Sequence, residues 1–407
     1  MLSIKKNYKI TFIILCLIFS NSFPQSSGFV STKGKQIITP DGKELFLKGI
    51  NLGNWLEPEG YMFEFKNAES SRKIYEVINE LIGPEAAHKF WETFRKNYIT
   101  ENDIKFIKDH GFNSVRIPFD YKLFTHEDFS PDCSQPGFSF MDSVIAWCSR
   151  NKIYAVLDMH IAPGGQTGAN IDDSWGYPFL YNSPQSQELT IKIWKEVAAR
   201  YKNEKYVLGY DLLNEPIAHY FDSKEFNHLL EPLYMRITKG IRQVDTNHII
   251  ILGGAQWDTN FKIFGKPFDP KLVYTFHTYW SDTTRKVIQQ FLDFRDKYNV
   301  PIWLGESGEN TMQWINSFRK LLERNDIGWC FWTFKRLDTD RSIVSIKKTG
   351  DYEAIKKFAD SNRQTFEDIR KNTPDRKIVL KALEEYLINI KLDNCNINTE
   401  YIKALGL

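Results

Sequence analysis

Cysteine is scarce, at five in 407 residues. No two cysteines are separated by two residues and none sits at zinc-finger spacing from a histidine, so neither a structural zinc site nor a redox dithiol is expected. An excess of one charge is missing as well. Fifty-three basic against 51 acidic residues leave a formal net charge of +2, which gives no case for nucleic acid or an anionic membrane as a partner. No Gly-, Ser- or Pro-rich linker and no internal repeat interrupts the chain. One domain with decorations is expected, a size that α/β barrels commonly reach.

Long apolar runs are also absent. The stretch from Ile10 to Phe19 is too short for a bilayer span, which needs about 20 residues. It follows Lys5, Lys6 and Lys9 and precedes Ser20, Asn21 and Ser22, the order of a signal peptide. Residues 1–24 are therefore expected to be removed and the mature chain exported, secreted or periplasmic, without membrane attachment. Leu15 stands before Cys16 where a lipoprotein signal would carry a small residue. Cys133, Cys148, Cys330 and Cys395 remain. Cys330 lies within an apolar strand and is expected to be a buried free thiol, whereas Cys133 and Cys148 are a candidate bridge.

What the chain has in quantity is aromatic residues, 15% of the total with 11 tryptophans. Flat apolar faces build cores, and they also stack on sugar rings where they cluster at one site. Past the N-terminus, a Pro40–Asp41–Gly42 turn between two strand-like stretches reads as a hairpin. Short apolar strands then recur: Leu45 to Asn51, "FNSVRIPFD", "IYAVLDMHIA", "VLGYDLLNEP", "HIIILGG", "LVYTFHTY", "PIWLGESG" and "GWCFWTFK". Amphipathic stretches such as "ENDIKFIKDHG", "SQELTIKIWKEVAARYKN" and "TTRKVIQQFLDFRDKYN" separate them. Strands apolar on both faces, alternating with helices, describe a parallel sheet covered by helices. Eight such units in this length predict an α/β fold, a single (β/α)8 TIM barrel over residues 25–362 with an N-terminal β-hairpin. Residues 363–407 should form a helical C-terminal extension carrying "RKIVLKALEEYLINIK". An open doubly wound sheet is the alternative, but no Gly-rich phosphate fingerprint follows the first strand.

Chemistry in such barrels sits at the C-terminal strand ends. Read in order, those ends carry Asn54 and Trp55, Arg116, His160, Asn214 with Glu215, His277 with Tyr279, Glu306, and Trp332 with Lys335. A lone polar residue at a strand tip is usually just solvated. Polar or aromatic groups at nearly every end point to a site. Glu215 and Glu306 end the fourth and seventh strands, and a carboxylate pair across a barrel mouth is what glycoside hydrolysis requires: one group protonates the leaving oxygen, the other attacks the anomeric carbon or activates water. Adjacent Asn214 and Glu215 should point to opposite faces of a regular strand, so a local twist must bring both to the mouth.

The strand ends NSVRIP, LLNEP, FHTY, WLGESG and WCFWTF resemble those of glycoside hydrolase family 5, the cellulase-type retaining glycosidases, from about Gly34 to Ala359. The resemblance implies that Glu215 is the acid/base and Glu306 the nucleophile. Asn214 would bond the sugar 2-hydroxyl, Arg116 and Tyr279 would flank the nucleophile, His277 would sit near the acid/base and His160 in the reacting subsite, with Trp332 as stacking platform. Glu309 in "GESGEN" competes for the nucleophile's role. The implied substrate is an oligo- or polysaccharide, a β-glucan, cleaved without cofactor or metal by a monomer; "KGINLGNWLEPEGYMF" is also similar to the family's exo-acting β-1,3-glucanases. Asp172 and Asp173 are expected to bond sugar or loop, and Trp55, Trp175, Trp257 and Trp280 are further candidate platforms. A non-catalytic carbohydrate-binding barrel, or a metal hydrolase using His160 and His277, are the competing readings.

Overall fold

The apolar segments pair edge to edge until the last meets the first. In the computed structural model, which describes residues 28–126 and 135–407, the barrel strands are β1 (Lys48–Asn51), β2 (Ser114–Asp120), β3 (Tyr154–Ile161), β4 (Val207–Asp211), β5 (Ile249–Gly253), β6 (Leu272–His277), β7 (Ile302–Glu306) and β8 (Gly328–Phe331). Every neighbouring pair is parallel and β8 closes on β1. This is the (β/α)8 barrel expected from the alternation of strands and helices. The signal-peptide stretch, Cys16 and Cys133 lie outside the described residues.

Helices cover the outside of the barrel because each carries one apolar stripe. Glu101–Asp109 starts at a capping box formed by Thr100 and Asp103 and buries Ile104 and Ile107. Pro184–Tyr201 buries Ile193, Trp194 and Val197, and Arg285–Tyr298 buries Ile288, Phe291 and Leu292. The insertion after β1 folds into two helices, Ser71–Ile82 and Pro84–Tyr98. Among the described residues no helix is long and apolar enough to cross a membrane. Cys148 and Cys330 are buried free thiols.

The hairpin differs from expectation in position. Its paired strands are Ser31–Lys33 and Gln36–Ile38, turning at Gly34, while the Pro40–Gly42 turn closes only a single bridge, Ile38 to Glu44. Gly34 has φ +56°, a conformation open to glycine, so the chain reverses there first. The hairpin plugs the barrel's N-terminal end: Val30, Ile37 and Leu47 form one buried cluster with Val156, Leu208, Ile249, Ile251, Val273, Trp303 and Cys330.

Beyond residue 362, helices Phe366–Asn372, Arg376–Asn389 and Thr399–Ala404 follow. Asn396–Ile397 adds an antiparallel strand to Val344–Ile346, itself paired with Lys335–Leu337 just past β8. Val379, Ala382, Leu383, Tyr386, Tyr401 and Leu405 are buried, so this segment packs as part of the body.

Candidate active site

At the C-terminal end of the strands the interior changes from apolar to ionic. Arg116 on β2 is fully buried and radiates to every side. Its Nε donates to Asp211 Oδ2 at 2.8 Å, Nη1 to Glu306 Oε1 at 2.5 Å and Asn51 Oδ1 at 3.2 Å, and Nη2 to Asn214 Oδ1 at 2.9 Å. Asp158 Oδ1 lies 3.0 Å from Nη2. Burial pushes the carboxyls of Asp158 and Asp211 up to about 7 against the pull of the guanidinium.

Irregular pairing aims these groups. The register slips at the ends of β2 and β3, where His160 has no partner, and between β6 and β7, where Gly305 has none. Such bulges turn a side chain that strict alternation would send elsewhere. Glu215 solves the alternation problem differently. It lies beyond the last residue of β4 with φ +45°, a left-handed backbone costly for a non-glycine residue. That bend brings Asn214 and Glu215 to one side. Asp258, fully buried, accepts the Glu215 backbone N–H at 3.2 Å and fixes the bend.

Glu215 and Glu306 face each other across the mouth. His277 Nδ1 lies 2.9 Å from Glu215 Oε1 and 3.7 Å from Glu306 Oε2, and the three groups present atoms within 4.8 Å of one another. Tyr279 donates its hydroxyl to Glu306 Oε2 at 3.0 Å. Burial raises the Glu215 carboxyl to about 7, against the pull of His160 and Arg116, so it holds its proton to higher pH than an ordinary carboxylic acid. Burial lowers His160 to about 4 and His277 to about 3, leaving both imidazoles neutral. His160 Nδ1 pairs with Asp158 Oδ2 at 2.8 Å, and its Nε2 faces the Asn214 amide nitrogen at 3.3 Å. The Asn214 amide is thereby oriented, and its second N–H stays open to the cavity.

Trp332 forms a wall beside them, stacked on His160 at 5.6 Å between ring centroids and donating Nε1–H to Tyr61 at 2.5 Å. Gly53 lies flat against it; a Cβ there would fall 2.4 Å from the indole. The resulting cavity, about 690 Å³, is lined by all the proposed site residues except Arg116, which sits beneath its floor.

Several strand-end candidates sit elsewhere. Trp55 is buried in the core with Nε1–H donated to Arg95 O. Lys335 is fully buried with Asp103 at 2.7 Å and the carbonyls of Tyr98 and Ile390; it starts a new strand, so its side chain leaves the mouth. Asn54 holds a loop through Glu59 N–H. Trp175 stacks under Arg72 outside the cavity, which Trp257 and Trp280 do line. Asp172 accepts Thr167 and Ser174 N–H groups, and Asp173 pairs with Lys122 and Arg72, so both organise loops. Glu309 lines the cavity, yet both its oxygens accept from Arg336.

Sequence reasoning missed Asn51, Asp158, Asp211, Asp258, Glu57 and Glu59. Glu59 lines the cavity, and burial beside Glu306 and Glu215 raises its carboxyl well above the usual range. Glu57 is fully buried, accepts Asn54 N–H at 2.6 Å and is likewise raised by burial and by Glu59. For Asp158 and Asp211 the signal was a carboxylate inside an otherwise apolar strand.

Known proteins resemble this chain in sequence and in fold. The family profile described as Cellulase (glycosyl hydrolase family 5) matches residues 70–338, more than half of the chain. Endoglucanase C of Acetivibrio thermocellus is 26% identical over 74% of this chain and 96% of its own length. A Beta-xylosidase of Phanerodontia chrysosporium is 31% identical over 58% of this chain, which spans only 48% of that protein. A Glucan 1,3-beta-glucosidase of Lachancea kluyveri is 29% identical over 58% of this chain and 56% of its own. Among solved structures, the endoglucanase Cel5A of Thermotoga maritima aligns with a TM-score of 0.53 and 19% identity over 88% of this chain and 96% of that one, a likeness of fold. The profile match covers more than half of the chain, and with these relatives it shows that the chain belongs to glycosyl hydrolase family 5 and is a glycoside hydrolase.

Proposed function

We propose that the protein is an exported, retaining β-glycosidase that cleaves a β-glucan, with Glu306 as nucleophile and Glu215 as acid/base. The observation that carries the mechanism is the approach of the two carboxyl groups, with oxygens inside 4.8 Å. Retaining enzymes hold their pair about 5–5.5 Å apart, whereas inverting ones need roughly 6.5–9.5 Å to admit a water. Arg116 and Tyr279 each hold one oxygen of Glu306, which fixes it for in-line attack on C1. Glu215, its proton retained by burial, gives that proton to the glycosidic oxygen as the bond breaks, then takes one from the water that releases the sugar. Asn214 donates its open N–H to the 2-hydroxyl, and Trp332 stacks under the ring. Export rests on the N-terminal pattern, and action as a monomer needs no residue from a second copy.

Relatives named Endoglucanase C and Glucan 1,3-beta-glucosidase support two modes, internal cleavage and release from chain ends, of which we favour the first on the fuller coverage of Endoglucanase C. Reducing-end release from β-1,4-glucan, β-1,3-glucan and mannan, with product lengths, distinguishes them. Proton NMR of the first product should show the β-anomer before mutarotation. Early appearance of the α-anomer would remove Glu306 from the nucleophile's role.

A further inference from the structure

Behind the two proposed catalytic glutamates lies a further carboxyl that their mechanism leaves unused. Asp258 belongs to the loop after β5, where Gln256, Trp257 and Asp258 in succession have φ +52°, +61° and +60°. Left-handed values cost free energy for residues other than glycine and persist only where the surroundings enforce them. Here the Gln256 side chain is pinned between Asn227 and Asn260. The loop turns inward and delivers Asp258 to a fully buried position. Two glycines at strand ends leave the room. A Cβ on Gly253 would fall 1.9 Å from Asp258 Oδ1, and one on Gly305 2.8 Å from His277 Nε2.

His277 stands between this carboxyl and the mouth. Its Nδ1 lies 2.9 Å from Glu215 Oε1 and 3.7 Å from Glu306 Oε2, and its Nε2 lies 3.3 Å from Asp258 Oδ2. Nε2 has no hydrogen-bond partner elsewhere among the described residues, and Asp258 Oδ1 has none. A neutral imidazole owns one N–H. Two carboxyl oxygens face Nδ1, one of them on Glu306, which must be ionised to attack, so the hydrogen belongs on Nδ1. Nε2 is then a bare acceptor. An ionised Asp258 would set its charge against that lone pair, whereas a protonated one donates to it. Burial, with the nearby Asp211 and Glu215 carboxyls, pushes Asp258 well above the usual carboxylate range against the pull of Arg116. Two further titratable neighbours, Tyr181 and Tyr234, donate their hydroxyls to the carbonyls of Gln166 and Gly253.

We infer that Asp258 is a positioning residue that, as a carboxylic acid, donates to His277 Nε2 and so fixes the tautomer whose Nδ1–H points at Glu215 Oε1. The inference rests on the reading of Glu215 as acid/base. With Oε1 engaged as an acceptor, the Glu215 proton resides on Oε2, free to meet the glycosidic oxygen. Once that proton has gone to the leaving group, the same Nδ1–H supports the carboxylate until it takes a proton from water. In the other tautomer Nδ1 would accept the Glu215 proton and hold it away from the substrate.

Asp258→Leu and Asp258→Asn separate this role from simple support of the loop. Leu removes the donor, whereas Asn keeps an N–H for Nε2 and an acceptor for the Glu215 backbone. Each is assayed on cellotetraose or laminaritetraose, whose leaving oxygen needs a proton, and on 2,4-dinitrophenyl β-glucoside or β-cellobioside, whose leaving group needs none. For Asp258→Leu, kcat/KM on the tetrasaccharide should fall about thirtyfold or more, with that on the aryl glycoside within about threefold of the parent. The basic limb of its pH profile should move up, because the ionised Glu215 has lost a donor. Asp258→Asn should recover most of the tetrasaccharide rate. It decides alone if the Leu variant does not fold: a loss within about fivefold supports the donor, and a larger one overturns it. An equal fall on both substrates, or an Asn variant as poor as the Leu one, also overturns the inference and leaves the catalytic pair standing. A parent inactive on all four compounds overturns the two-glutamate reading instead.

Discussion

The two ends of the barrel interior are enclosed by the same eight strands and solved in opposite ways. At the N-terminal end, Val30, Ile37 and Leu47 meet aliphatic and aromatic strand residues in a dry plug. At the C-terminal end, Arg116 gathers Asp158, Asp211 and Glu306, more carboxylate than one cation can neutralise. The plug gains from removal of apolar surface from water. The ionic end loses hydration energy that its pairing only partly returns. Stability is therefore concentrated at the plug, whereas the mouth holds the raised carboxyls of Asp158, Asp211 and Glu215 and the left-handed backbone of Glu215. Substitutions should separate the two: changes at the mouth cost rate, changes at the plug cost stability.

The largest separation is expected from Glu306→Ala and Glu215→Ala. Each should lower kcat by about three orders of magnitude or more while leaving glycan binding and the thermal midpoint nearly unchanged. A variant hydrolysing at near the parental rate would break the assignment. Arg116→Met tests whether the ends are independent. It leaves Asp158, Asp211 and Glu306 buried without a cation, at a cost of about 3–5 kcal/mol, and should abolish activity too; urea unfolding measures it. An unchanged unfolding midpoint would mean the carboxyls simply take up protons. Ile37→Ala sharpens the comparison from below. A cavity in the plug should cost about 2–3 kcal/mol of stability with kcat within a factor of two of the parent.

The basic limb of a bell-shaped pH profile follows from one group, Glu215 as the proposed acid/base. The acid/base must be protonated to act, and Glu215 is raised to about 7. Activity should fall about tenfold per unit above that value, while the acidic limb reports protonation of the proposed nucleophile, Glu306. With an activated aryl glycoside, whose leaving group needs no proton, Glu215→Gln should remove this basic limb. A limb that persists in the variant belongs to another group.

The barrel and the mouth's outer ring were legible in the sequence because both follow local rules. Apolar strands alternate with amphipathic helices, and polar residues such as Asn214, Glu215, His277 and Glu306 stand out at strand ends. What was not legible depends on direction. Lys335 lies four residues beyond the end of β8, and nothing local says that its strand departs toward Asp103. Trp55 looks like a platform until the helix carrying Arg95 covers it. Asp158 and Asp211 sit inside strands, where apolar counting passes over them, and only closure of the barrel brings them to Arg116. The hairpin was placed one turn late because a Pro-Asp-Gly signal outweighed a lone Gly34.

The smallest effect expected joins the comparison to the C-terminal segment, whose contribution no strand pattern could suggest. Tyr401, fully buried on the last helix, donates its hydroxyl to Trp332 O at 3.2 Å. Trp332 N donates in turn to Ser307 O at 2.7 Å, next to Glu306. The C-terminal helix thus holds the backbone of Trp332, the proposed stacking residue, in line with the strand that carries Glu306, the proposed nucleophile. Tyr401→Phe keeps the packing and removes one hydrogen bond, worth about 1 kcal/mol. If that bond positions the indole, KM should rise about two- to fivefold, with kcat and the thermal midpoint changing little. If it only secures the helix, the midpoint should fall while KM stays at the parental value. The second outcome would assign the C-terminal segment to the stabilising half of the molecule, alongside the hairpin plug, and leave the mouth to the barrel's own loops.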